Sequence, residues 1–131
     1  MKNKNRYWKM PPEILEALRH EFKFTKDVCP FPKTEQWDAL NMPWSDINYC
    51  NPPFRKEDGG GFGPTAFVRK AIAENKLYGK KSIITIPTQS YVNLLLEAGA
   101  ELRSMGRVKW LECDTNEPMK SPSPITMFIL K

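Results

Sequence analysis

Ile47-Asn48-Tyr49-Cys50 runs directly into Asn51-Pro52-Pro53-Phe54. The first four residues have the apolar, branched and aromatic character of a short buried strand, and the two prolines end it by removing backbone donors and fixing φ. Downstream, Thr65 signals the start of a helix with Phe67, Val68, Ala71 and Ile72 on one face. Residues 82–86 then form a β-branched strand closed by Pro87. Strand, helix and strand in succession imply a right-handed crossover and a parallel pair.

Residues 89–98 carry Tyr91, Leu94 and Leu95 at helical spacing and end at Gly99, a residue suited to the position after a helix. Residues 107–112 and 125–130 follow as strands with no helix between them, so they are expected to pair antiparallel at a sheet edge. Upstream, residues 12–21 place Ile14, Leu15 and Leu18 on one helical face, with Pro12 suited to the first turn. Residues 22–28 read as a short strand, and 31–46 as a loop anchored by Trp37, Leu40 and Trp44. The expected architecture is a small α/β sandwich in a single domain, residues 1–131, with a mostly parallel sheet and an antiparallel C-terminal edge pair. Residues 1–9 read as a basic leader, and the glycine-rich stretch 55–64 as a mobile loop.

Composition limits the chemistry. The 131 residues hold 20 Lys and Arg against 15 Asp and Glu, a net charge of +5 that suits a phosphate-rich partner. The leader is not followed by an apolar stretch, and no run of about 18 apolar residues offers a membrane span, so a cytoplasmic protein with no membrane partner is expected. His20 is the single histidine, and Cys29, Cys50 and Cys113 are widely spaced. A His-based triad, a multi-histidine metal site and a Cys-x-x-Cys zinc site are therefore excluded within one chain, and no metal is expected. His20 is expected at the surface and the cysteines as buried thiols.

Asn51-Pro52-Pro53-Phe54 can work without histidine or metal. The Asn51 side-chain carbonyl and a backbone carbonyl held by the prolines are two acceptors at fixed separation, able to take both hydrogens of one amino group. Phe54 offers a face to a planar ring. Gripped in this way, an exocyclic amine keeps its lone pair free for attack, and charge developing on it is stabilised. The same four residues also read as a rigid turn.

Asn51-Pro52-Pro53-Phe54 resembles the amino-methyltransferase motif of AdoMet-dependent enzymes, and Asp38-Ala39-Leu40 through Tyr49 resembles the acidic motif and strand that lead into it. Several features in one order resemble the small phage-type DNA N-6-adenine methyltransferases: Trp8-x-Met10-Pro11-Pro12, Asp27-x-Cys29, Trp44, Phe67-Val68-x-Lys70-Ala71, Ile84-x-Ile86-Pro87-Thr88 and Gly106-Arg107-Val108-Lys109-Trp110. The resemblance spans residues 8–130. It implies a Rossmann-like methyltransferase sandwich that binds S-adenosyl-L-methionine and methylates the N6 amine of an adenine flipped out of double-stranded DNA.

Carried onto this chain, the resemblance assigns Asn51, Pro52, Pro53 and Phe54 to the target adenine and Asp38 to the cofactor's adenine amine. Asp27, Cys29, Met10 and Pro11 fall in the cofactor pocket, and Arg55 and Lys56 against nearby phosphates. Cys29-Pro30-Phe31-Pro32 stands where many such enzymes carry a glycine-rich loop, and Met10 where this family usually has threonine. The chain is short for the group, so a homodimer that shares the cofactor site belongs among the expected assemblies. RNA adenine or a protein glutamine amide as acceptor, and a non-catalytic nucleic-acid-binding module, are the alternative readings.

Overall fold

A computed structural model of the chain describes residues 8–30, 38–52, 63–87, 92–112, 115–119 and 123–131. In chain order the elements are β1 (Trp8–Lys9), α1 (Pro12–Phe22), β2 (Lys26–Asp27), β3 (Ile47–Cys50), α2 (Pro64–Tyr78), β4 (Lys81–Pro87), α3 (Val92–Glu97), β5 (Glu101–Val108), β6 (Leu111–Glu112) and β7 (Ser123–Leu130). The main sheet has the spatial order β2-β3-β4-β7-β5, and β1 pairs with β6 as a separate antiparallel ribbon.

The fold is α/β, but its sheet is mixed rather than mostly parallel. β2, β3 and β4 are parallel neighbours, whereas β7 runs antiparallel to both β4 and β5. The reversed strand lies inside the sheet, with β5 outside it, and burial explains the order. β7 carries Ile125, Met127, Phe128, Ile129 and Leu130, all at most 4% exposed, and this two-sided apolar strand needs cover on both faces. β5 is mostly exposed and tolerates the edge. Its register breaks between Ser104 and Arg107, beside Gly106 at φ 68°, the kind of irregularity that discourages further pairing at an edge.

Three other boundaries differ from the sequence reading. Residues 107–112 do not form one strand, because Trp110 turns into the core and Leu111–Glu112 pairs with Trp8–Lys9. The end of the leader is thereby part of a β ribbon. Phe22 belongs to α1, so the following strand shrinks to Lys26–Asp27.

Alternation along the strands divides the core between two faces. Tyr49, Ile83, Met127 and Ile129 pack with Leu18, Ile14 and Leu15 of α1. Cys50, Ile84, Ile86, Phe128 and Leu130 pack with Phe67, Val68 and Ala71 of α2 and Leu95 of α3. α1 starts at Pro12, where the Pro11 carbonyl accepts the Ile14 and Leu15 N–H groups, and stops at Lys23, which takes the left-handed conformation. Among the described residues, no helix is long and apolar enough to cross a membrane.

β3 is held firmly at its start. The Asn48 side chain accepts from the Ser45 N–H at 2.9 Å and donates to the Ser45 and Lys81 carbonyls at 2.8 and 2.9 Å. Asn48 is fully buried, so these bonds are shielded from water. On the α1 face, Tyr49 stacks on Phe24 with ring centroids 5.2 Å apart, and its hydroxyl lies 3.0 Å from Thr85 Oγ1. Burial pushes the Tyr49 phenol far above its ordinary range, so it serves as a neutral hydrogen-bonding prop and not as a base.

Candidate active site

β2 and β3 end side by side. Asp27 is in register with Tyr49, and the Val28 N–H donates to the Tyr49 carbonyl at 3.0 Å. Cys29 and Asn51 therefore leave the sheet at the same carboxyl edge, where open α/β sheets bind their ligands. Asn51 is 4% exposed and Pro52 is buried, so the described half of the tetrapeptide is enclosed by protein. Pro53, Phe54, Arg55, Lys56 and the glycine-rich stretch as far as residue 62 lie outside the described residues, as does Trp37, whereas Gly63 and Pro64 belong to the start of α2 and not to a loop.

Asp27 is the carboxylate at this edge. Its Oδ1 accepts the Cys29 N–H at 3.1 Å, which bends the chain away from β2. Burial raises its pKa, opposed by the Cys29 hydrogen bond and by the positive charges of Arg19 and Lys26. A raised folded-state value means that the ionised carboxylate costs stability, a cost absent below the unfolded value near 3.8 and complete once pH has risen through the folded value. Asp27→Asn keeps the acceptor for Cys29 and removes the charge. The variant is expected to be more stable than the parent at pH 7, with the difference vanishing below pH 3.8 in paired denaturant titrations. A neutral-pH stability equal to or below the parent's would contradict this.

Asp38 occupies a different environment. It is exposed, its Oδ1 accepts the Leu40 N–H at 3.2 Å and its Oδ2 accepts from Asn41 Nδ2 at 2.7 Å. Its carboxylate organises a tight turn, and that turn is docked on the molecule through Ala39, Leu40 and Trp44, which pack in the same cluster as Val28 and Cys50. The structure thus brings the Asp38 turn, the end of β2 and the end of β3 onto one packed body.

Met10 and Pro11 do not join that cluster. Met10 is 4% exposed and packs with Val108, Trp110 and Ile125, while Pro11 precedes α1 and caps its first turn. Cys29 is half-buried against the cluster that contains Cys50, and Cys50 is wholly buried. His20 is exposed on α1.

Glu74 escaped the sequence reading. It is 4% exposed, accepts the Trp44 N–H at 2.9 Å through Oε1, and pairs with Lys70 Nζ at 3.2 Å through Oε2. It thereby ties the segment between Asp38 and β3 to α2, while Trp44 Nε1 donates to the Ala39 carbonyl at 2.8 Å. Its signal was readable: Phe67, Ala71 and Glu74 share a helical face, and a carboxylate on an apolar face requires a partner.

The chain matches no protein-family model, no curated protein and no solved structure. Among the described residues, no three His, Cys, Asp or Glu side chains come together as metal ligands.

Proposed function

We propose that the protein transfers a methyl group from S-adenosyl-L-methionine to the N6 amine of adenine in DNA, on a Rossmann-like methyltransferase scaffold. The observation that carries the reading is the burial of Asn51 just past the carboxyl end of β3, with the partly buried carboxylate of Asp27 at the end of the neighbouring parallel strand.

The donor set fits the cofactor in part. AdoMet presents ribose hydroxyls and an ammonium group, both donors, and Asp27 offers a desolvated carboxylate with lone pairs beyond the one that Cys29 uses. Asp38 has acceptor capacity on an exposed turn of the same packed body. Met10 packs inside a separate apolar cluster, which suits support of α1 better than contact with a charged ligand. Bound AdoMet would supply an electrophilic methyl group on a sulfonium. The chain's own task is alignment and exclusion of water. Asn51 Oδ1 and the Pro52 carbonyl accept the two amine hydrogens, point the lone pair outward and stabilise the positive charge that develops on nitrogen. Phe54 stacks on the base, and Arg55 and Lys56 meet flanking phosphates.

Labelled AdoMet offered with separate DNA, RNA and protein pools tests the reading. N6-methyladenine in the DNA digest is the expected product. Label confined to protein or to RNA would replace DNA as the substrate. Absence of AdoMet binding by calorimetry, together with tight salt-dependent DNA binding, would leave a nucleic-acid-binding module.

A further inference from the structure

Cys50 ends β3, and Cys29 lies two residues past the end of the adjacent β2. The β2–β3 register pairs Lys26 with Asn48 and Asp27 with Tyr49, and the Val28 to Tyr49 hydrogen bond carries it one residue further. Cys29 is then one step diagonal from Cys50. Val28 lies opposite Cys50, and the bend made by the Asp27 to Cys29 hydrogen bond takes Cys29 out of the strand's alternation and onto the Cys50 side, with Cα atoms on the order of 6 Å apart. Disulfides typically span this distance. Cys29 packs against the cluster that holds Cys50, and its side chain together with burial pushes the Cys50 thiol up.

Their exposure differs in a useful way. Cys29 is partly open to solvent and Cys50 is 0% exposed. A reagent can therefore enter only at Cys29, and Cys50 can react only with a neighbour already inside.

We propose that Cys29 and Cys50 are a redox modification site that closes to a reversible disulfide by exchange with a small-molecule disulfide such as oxidised glutathione. The Cys29 sulfur attacks one glutathione sulfur, its proton leaves with the departing glutathione thiol, and a mixed disulfide forms at Cys29. The Cys50 sulfur then attacks the Cys29 sulfur, expelling the second glutathione as a thiol that takes up the Cys50 proton. Two protein thiols are oxidised and one glutathione disulfide is reduced to two thiols. The bond joins the residue two places after Asp27 to the residue before Asn51, so it locks the two strand ends that the proposed function uses. The pair itself does not depend on that function.

The test equilibrates the full chain in glutathione buffers from reduced to oxidised, quenches with acid, alkylates free thiols and reads the products by mass spectrometry. The expected result is a digest peptide linking Cys29 to Cys50 with loss of two hydrogens, reversed by dithiothreitol. Cys50→Ser should leave a glutathione adduct on Cys29, and Cys29→Ser should leave Cys50 unreacted until the protein is denatured. A parent protein that carries glutathione on Cys29 with Cys50 still free, that links either residue to Cys113 instead, or that keeps both thiols in the oxidised buffer would overturn the proposal. In a Cys113→Ser background, methyl transfer should fall on the order of 10²-fold as the bond forms, the cost of misplacing reacting groups by ~1 Å. Reduced protein that transfers no methyl group would count against the proposed function alone, because the mass measurement decides the disulfide without it.

Discussion

Asn51→Ala is expected to lower methyl transfer by roughly 10²–10³-fold, the usual cost of removing one preorganised group that stabilises developing charge. The side chain is buried at a strand end, and its proposed partner is an amine whose charge grows during attack. Its loss therefore falls on the transfer step rather than on cofactor capture. AdoMet affinity by calorimetry should stay close to the parent's, and single-turnover transfer should carry the whole deficit. The residue lies beyond the last β3 residue and outside the three apolar clusters, so the thermal midpoint should move little. A variant that turns over like the parent would remove Asn51 from the mechanism, and one that loses AdoMet binding and transfer together would move it to the cofactor pocket.

Trp44→Ala should be strongly destabilising. The side chain is 2% exposed in the largest cluster, and truncating a buried aromatic costs about 3–5 kcal/mol. The Ala39 carbonyl loses its indole donor, and the contact that fixes the Asp38 turn goes with it. A fall in midpoint on the order of 10–20 °C is expected for a chain of this size. Chemical denaturation checks the free energy, and AdoMet titration of the folded fraction checks the site. Trp44→Phe, which keeps most of the volume and loses the indole donor, should recover most of the stability. A Trp44→Ala loss below about 1 kcal/mol would show that the indole does not anchor this segment.

Most elements were legible because their periods and punctuation agree. Residues 82–86 are β-branched and closed by proline, and the observed strand is Lys81–Pro87. Pro64, one residue before the Thr65 signal, occupies the first turn of α2, and Gly79 ends that helix in the left-handed conformation. An antiparallel partner for the C-terminal strand was legible, since no helix precedes it, but that partner is Glu101–Val108 and not residues 107–112. The position of β7 between β4 and β5 was not. Strand order depends on which strand is most apolar on both faces, a comparison among elements far apart in the chain. The β1–β6 ribbon was hidden for a similar reason, because two-residue pairings carry no periodicity of their own.

Asn51 and Asp27 both stand out in local sequence, one in a tetrapeptide and one as a strand-end acid. The β2–β3 register brings them to the same sheet edge, where Asn51 is buried and Asp27 partly so. Asp38 was picked as a cofactor acceptor, and folding adds that its carboxylate also builds a turn. The helical face shows that Glu74 needs a partner, but only folding shows that the partner is the Trp44 N–H, 30 residues upstream.

Local chemistry alone therefore determines where the elements start and stop, which faces are apolar, and that any reaction must proceed without a histidine cluster. Those properties follow from backbone sterics and side-chain periodicity, which act over a few residues. Tertiary structure decides that the sheet is mixed, that Cys29 packs against the cluster holding Cys50, and that the partly buried Asp27 ends the strand next to the one that leads into Asn51. These depend on register and burial, which arise only when strands distant in sequence share one core.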